Sequence, residues 1–160
     1  MTIPHDHHGP CIELERSLQS EVSAISPFVD KVMLLFRKCG CVPQSDSDVE
    51  IALREALANA IIHGNHENPR KHVHVRCRCN PDELSIAVKD EGRGFDINKL
   101  ADPTGPENIG SVHGRGIYLM KALMDEVRFE EGGVVVRMRK SAGKSAGQAA
   151  AKDAQTNSLE

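Results

Sequence analysis

The strongest constraint on the fold of this chain is an amphipathic stripe near its middle. Apolar residues recur there at the spacing of one helix face: Val49, Ala52, Leu53, Ala56, Leu57, Ala60 and Ile61. The stripe predicts a helix that begins after the polar residues 45–47 and ends near 63–65, ahead of Pro69. Such a helix must bury its apolar side against another layer of structure.

The rest of the chain supplies that second layer. Helical spacing over residues 20–39, where Pro27 starts or disturbs the helix and Gly40 follows it, predicts another helix, and a third begins at Ile117. Alternating or apolar runs predict strands at 11–18, 72–79, 84–89, 126–131 and 134–139. The order β-α-α-β-β-loop-α-β-β predicts an α+β, two-layer sandwich, whose mixed, mostly antiparallel sheet carries the helices on one face.

Composition narrows the class of protein. The formal net charge is −3 and aromatic residues make up 3%, which argues against direct nucleic-acid binding and against a polybasic membrane binder. No apolar run approaches the roughly 18 residues of a membrane span, and residues 1–20 do not resemble a signal peptide. We therefore expect a cytoplasmic protein with one domain at 11–140, between disordered tails at 1–10 and 141–160.

The five cysteines, at positions 11, 39, 41, 77 and 79, allow two interpretations. Two C-x-C pairs could form a four-thiolate zinc site, although structural zinc usually uses a wider spacing. Cys77 and Cys79 continue an alternating strand, so we expect buried thiols instead, and the odd count does not suggest a disulfide framework. The histidine cluster at 5–8 is expected to be a solvated tail.

Three motifs carry the candidate chemistry. Glu55 and Asn59 lie one helical turn apart, away from the apolar stripe, and His63 continues their line. The segment 90–94 reads Asp-Glu-Gly-Arg-Gly directly after a strand, where glycines allow a close approach of backbone to ligand. The segment 110–116 is glycine-rich and leads into a predicted helix, whose free amides favour phosphate. Each motif taken singly has an alternative interpretation without function: a solvated helix face for the first, a glycine turn for the second and a flexible linker for the third.

In this order, the three motifs resemble those of a known family. Residues 55–63 resemble the N box of the gyrase, histidine-kinase and MutL-type ATPases, and 90–94 and 114–117 resemble their two glycine boxes. With a short lid and no extra domains expected from the sequence, the chain resembles most the stand-alone anti-sigma-factor serine-protein kinases. The resemblance covers about residues 11–140 and implies the Bergerat ATP-binding fold.

The resemblance also implies a role for each site residue, with ATP and Mg²⁺ as cofactors. Asn59 would give its amide oxygen to Mg²⁺, and Asp90 would accept a hydrogen bond from the adenine amino group. Glu55 would be the catalytic base that orients or deprotonates a substrate hydroxyl. The other cofactor-binding residues would be His63 in the N box, Gly92 and Gly94 beside adenine and ribose, and Gly110, Gly114, Arg115 and Gly116 over the phosphates.

The implied function combines binding and catalysis. Such a protein would sequester a sigma factor and phosphorylate a serine or threonine on a small STAS-type antagonist, and it would work as a homodimer through an exposed apolar strip on the first helix or strand. Val134 departs from the family, which often has threonine after the final Gly-Gly turn, so a hydroxyl near adenine is missing. The alternative is a non-catalytic, ATP-dependent switch that binds a partner.

Overall fold

A computed structural model of the chain describes residues 12–95 and 112–141, without the side chains of 112–114. Its five strands are β1 (Ile12–Gln19), β2 (His72–Cys79), β3 (Glu83–Lys89), β4 (Glu126–Glu130) and β5 (Val135–Ser141). They form one sheet in the order β1-β2-β3-β5-β4, and its four neighbouring pairs are antiparallel. The predicted α+β sandwich is confirmed.

The hairpin between β2 and β3 shows how local sequence sets the register of the sheet. The Asn80 side-chain oxygen accepts hydrogen bonds from the backbone amides of Asp82 and Glu83, each at 2.9 Å. Asparagine favours turns because its side chain can take these backbone bonds. The turn pairs Cys77 with Ile86, so the apolar residues of both strands point to the same face.

Three helices cover that face. They are α1 (Ile25–Lys38), which follows a short 3-10 turn, α2 (Asp48–Ala58) and α3 (Val112–Leu123). Pro27 lies in the first turn of α1, where its missing amide hydrogen costs nothing. The predicted start of α3 at Ile117 is wrong, because the helix begins at Val112 and takes in the end of the second glycine box.

The core lies between the sheet and the helices. The largest fully buried side chains come from α1, α2 and the segment after it, β3, α3 and β5: Phe36, Met33, Leu53, Leu57, Ile61, Leu84, Ile86, Met120 and Met138. The opposite face of the sheet carries exposed ion pairs, including Lys89–Glu131 and Arg137–Glu130. The three helices of residues 12–95 and 112–141 therefore all pack on one face, as the sequence predicts. Within the described parts, no helix has the length and apolarity to cross a membrane.

The cysteines correct one expectation. Cys41 and Cys79 form a disulfide between the loop after α1 and the end of β2, and both are buried. Sequence reasoning missed the bond because its partners are 38 residues apart and belong to separate predicted elements. Two of the four thiolates that a zinc site would need are thus bonded to each other. Cys77 is a free buried thiol, as expected, and burial raises its pKa to about 12.

Candidate functional site

A cavity of about 250 Å³ lies between α2, α3 and the inner face of the sheet. Four predicted site residues line it together: Asn59, His63, Asp90 and Gly94. The rest of its wall is largely apolar and includes Val88, Phe95, Met120, Phe129, Val134 and Val136. A concave, mostly apolar pocket with a few convergent polar groups is typical of a small-molecule site.

The catalytic and metal candidates lie where α2 faces α3. A β-carbon placed on Gly116 of α3 would lie 2.8 Å from Glu55 Oε2 and 3.2 Å from Asn59 Nδ2. Gly116 is thus the residue that lets the helix backbone approach this polar pair. The Asn59 Nδ2 atom is buried and has no hydrogen-bond partner in the structure. An unpartnered buried amide carries a cost in stability, and it points to a ligand that completes it.

The helix that carries this pair changes its geometry at Asn59. Residues Asn59–Gly64 form a π-helical segment, closed by a 2.8 Å hydrogen bond from the Asn65 amide to the Ala60 carbonyl oxygen. Single π-helical turns inside or after α-helices are frequent at functional sites. Here the wider turn brings the backbone of Gly64 against Asp90, since a β-carbon on Gly64 would overlap the Asp90 carboxyl group.

Asp90 lies in a tight backbone cradle at the end of β3. Its amide donates to the Val134 carbonyl oxygen at 3.0 Å, and its Oδ1 accepts from the Gly92 amide at 2.8 Å. A β-carbon on Gly92 would overlap the carbonyl oxygen of Gly64, so both glycines are required by space. Burial raises the pKa of Asp90, against the Gly92 hydrogen bond and the nearby Lys71 and His66, which lower it.

The turn between β4 and β5 closes the far wall of the cavity. The Phe95 amide donates to the Gly132 carbonyl oxygen at 2.9 Å, and the Phe95 ring meets Phe129 edge-to-face at 5.4 Å. Gly133 has a φ of +96°, and a β-carbon there would lie 2.7 Å from the Phe95 carbonyl oxygen. Val134 lines the cavity, so the departure from threonine falls in the pocket itself.

Beyond the four predicted site residues that line the cavity, Glu55, Gly92 and Gly116 lie in contact with that lining or beside it. Gly92 contacts the Asp90 carboxyl group from behind, and Gly116 covers Glu55 and Asn59. Gly114 and the exposed Arg115 lie in the first turns of α3, inside the helix and not in a loop before it. Gly110 falls outside the described residues.

Three features of the site were missed from sequence. The sequence around Gly64 predicts only a helix end, and the contact of Phe95 with Phe129 joins rings 34 positions apart in the chain. Asn65 was named only as part of that helix end, although it is 1% exposed and fully hydrogen-bonded. The available signal was the run His63-Gly64-Asn65, in which glycine directly follows a polar cavity residue.

Fold and cavity together define the class of protein: a two-layer α+β domain with a mostly apolar cavity between helices and sheet, into which a few polar side chains converge. Residues 18–140 match the family described as "Histidine kinase-like ATPase domain". This chain is similar to "Serine-protein kinase RsbW" of Bacillus subtilis (strain 168), at 38% identity over 100 residues, which cover 58% of this chain and 62% of that protein. It is 30% identical over 138 residues to the protein of that name in Staphylococcus aureus (strain JH9), covering 79% and 87%.

The chain therefore belongs to the histidine kinase-like ATPase family and lies close to the RsbW proteins within it. The matched region spans less than two thirds of the Bacillus subtilis relative and of the Oceanobacillus iheyensis relative, at 62% and 66% of their lengths. A crystal structure of the RsbU and RsbW domains of Rv1364c from Mycobacterium tuberculosis has a similar fold, with a TM-score of 0.55 at 15% identity. That match covers 82% of this chain and 31% of the other.

Proposed function

We propose that this chain is an ATP-dependent serine/threonine protein kinase that also sequesters a sigma factor. Its protein substrate would be a small STAS-type antagonist of anti-sigma factors. The observation that carries the proposal is the buried, unpartnered amide of Asn59 beside the Glu55 carboxylate, in a cavity that also holds Asp90. The names of the RsbW relatives support the same reaction class.

The residues present fit ATP with Mg²⁺. Mg²⁺ prefers few protein oxygens together with phosphate oxygens, and Asn59 would supply one such oxygen from its amide, whose Nδ2 atom is buried without a hydrogen-bond partner. Gly116 leaves room above the pair, and Gly110, Gly114 and Arg115 would contact the phosphates as the family resemblance implies. When bound, ATP supplies the phosphoryl group, and Mg²⁺ neutralises its developing charge.

Asp90 would recognise the adenine base. Its ionised carboxylate can accept a hydrogen bond from an exocyclic amine but not from a carbonyl, which favours adenine over guanine at that edge. Val88, Phe95 and Val134 would hold the faces of the ring, and the backbone at Gly92 and Gly94 would lie beside base and ribose. With Val134 in place of threonine, base recognition depends on Asp90 more heavily than in relatives with the hydroxyl.

Glu55 would act on the protein substrate. Its carboxylate would orient the serine hydroxyl of the substrate and accept the hydroxyl proton as that oxygen takes up the phosphoryl group and ADP leaves. Glu55 is half-buried in the last turn of α2, and Asn59 begins the π-helical segment that continues α2, so base and metal ligand would lie one helical turn apart. His63 is exposed at the cavity edge, where it can contact the cofactor.

We propose a homodimer through α1 and β1. A groove between them is lined by apolar side chains, among them Leu14, Phe28 and Leu35, and it adjoins the outer edge of β1, which pairs with no other strand of the described residues. Leu34 on α1 is 68% exposed, the most exposed of the large apolar side chains in the described residues. A second copy would cover both the apolar side chains and the free edge of the sheet.

The dimer is tested by light scattering during gel filtration. Leu34→Glu should shift the wild-type dimer to monomer, whereas Ile51→Glu, an exposed apolar residue on α2, should leave the dimer unchanged. A wild-type monomer at micromolar concentration would contradict the dimer.

The kinase proposal is tested first by calorimetry of ATP binding with and without Mg²⁺. Wild-type protein should bind in a magnesium-dependent way, and Asn59→Ala should lose that dependence while keeping its fold, because Asn59 is only half-buried. Glu55→Gln should keep ATP affinity and lose phosphate transfer to the antagonist. Binding without transfer by the wild type would favour the alternative, a non-catalytic switch, for which the apolar Val134 is the supporting observation.

A further inference from the structure

Asn65 joins the elements around the cavity through a single buried side chain. Its Nδ2 donates to Ser20 Oγ at 2.7 Å and to the His72 carbonyl oxygen at 2.9 Å. Its Oδ1 accepts from the Glu91 amide at 2.7 Å. The side chain thus spans the end of β1, the start of β2 and the loop after β3, while its backbone closes the π-helical segment.

The bond to Glu91 matters most for the site, because Glu91 directly follows Asp90. Two hydrogen bonds set the position of Asp90. On one side, the Asp90 amide donates to the Val134 carbonyl oxygen; on the other, the Glu91 amide donates to Asn65 Oδ1. The Glu91 carboxylate also holds the loop after β3 to the start of β2, because Glu91 Oε1 accepts a hydrogen bond from the His72 amide at 2.8 Å. The base-recognising carboxyl group is therefore held at both neighbouring peptide units.

This position leaves little freedom to the Asp90 carboxyl group. Gly64 and Gly92 pack against it so closely that neither tolerates a β-carbon. If the loop after β3 shifted, the Asp90 carboxyl group would move relative to Gly64 and would no longer occupy its position in the cavity wall. Hydrogen bonds of this kind act through geometry, and small displacements of a positioned group reduce its contribution strongly.

We infer that Asn65 is the positioning residue for Asp90 and thereby determines which purine the site selects. The inference rests on the proposed nucleotide site. Asn65 lies outside the cavity lining and does not need to touch the nucleotide. Its Oδ1 bond to Glu91 sets base selection, whereas its Nδ2 bonds to Ser20 and His72 hold the scaffold.

The two sides of the amide can be separated by substitution. Asn65→Ala removes all three bonds, and Ser20→Ala removes only the bond to β1 and leaves the Glu91 amide paired. Asn65→Asp keeps an oxygen for the Glu91 amide. Asn68→Ala is the matched control, because Asn68 Oδ1 accepts from the Arg70 amide at 3.0 Å in a turn three residues further on.

The experiment measures the affinity for ATP and for purine riboside 5′-triphosphate, which differs from ATP only in lacking the 6-amino group of the base. Wild type should prefer ATP by about tenfold or more, the scale of one charge-assisted hydrogen bond. Asn65→Ala should lose most of this preference, with the folded state verified by circular dichroism. Ser20→Ala and Asn68→Ala should keep the preference, although Ser20→Ala should unfold at lower urea concentration.

The outcomes separate the two proposals. If wild type binds neither nucleotide, the proposed function fails. If wild type prefers ATP and folded Asn65→Ala keeps that preference, the inference fails and the proposed site stands. Should Asn65→Ala not fold, Asn65→Asp tests the inference instead. A retained preference for ATP in Asn65→Asp supports the role of the Oδ1 acceptor. Loss of the ATP preference in the folded Asn65→Asp variant overturns the inference.

Discussion

Reduction of the Cys41–Cys79 disulfide gives a quantitative test of the structure. The bond closes a loop across a sequence separation of 38 residues, which contains α2 with Glu55 and the π-helical segment that begins at Asn59. In the chain-entropy account, opening a loop of that length restores freedom to the unfolded chain equivalent to about 4 kcal/mol at 25 °C. Reduction removes no heavy atom from the core, so this loss does not include the cost of a cavity left by a deleted side chain.

The assay is urea unfolding with and without dithiothreitol. We expect the reduced protein to unfold with a free energy lower by about 4 kcal/mol, and the oxidised form of Cys39→Ser to match wild type within about 0.5 kcal/mol because Cys39 is exposed. Trypsin cleavage after Arg78 separates Cys77 from Cys79, so the linked peptide identifies the partner on β2. In Cys39→Ser, that peptide must still be linked through Cys41.

Two results would refute this reasoning. Identical urea midpoints for oxidised and reduced protein would show that the loop is equally constrained without the bond. The absence of the linked peptide from non-reduced protein would show that Cys41 and Cys79 are thiols, as the sequence alone suggests.

Other predictions follow from single residues. Gly116→Ala should keep the fold but lower phosphate transfer, since its β-carbon would displace the Glu55 carboxylate; a transfer assay with unchanged rate would contradict this. Burial raises the pKa of Asp90 in the folded state. The Asp90 carboxyl group therefore contributes most to stability below its unfolded-state pKa, and this contribution is lost as pH rises through the folded-state pKa. The urea midpoint of Asp90→Asn should lack this dependence on pH. ATP affinity should fall as pH drops through the same raised pKa, as calorimetry across pH will measure. Leu53→Ala, at a fully buried position of α2, should cost about 2–5 kcal/mol of unfolding free energy by denaturant titration.

Much of the fold was readable from the chain because periodicity is a local property. The stripe through Leu53 and Leu57 predicts α2, and the alternation through Val73 and Val75 predicts β2, with the same buried faces that the structure shows. The start of α3 was wrong, because the glycines of the second box lower helix propensity while packing against α2 stabilises the helix there.

The sequence by itself determined the elements, their order and the residue types that carry the chemistry. Tertiary structure alone decided which residues lie in contact: Gly64 against the Asp90 carboxyl group, Gly116 against the Glu55 carboxylate, and Cys41 bonded to Cys79. These contacts join residues far apart in the chain, and none leaves a periodic trace, because a glycine in a tight contact reads in sequence like a glycine in a turn. Only the packing of helices on sheet distinguishes the two, since it fixes the space in which a β-carbon does or does not fit.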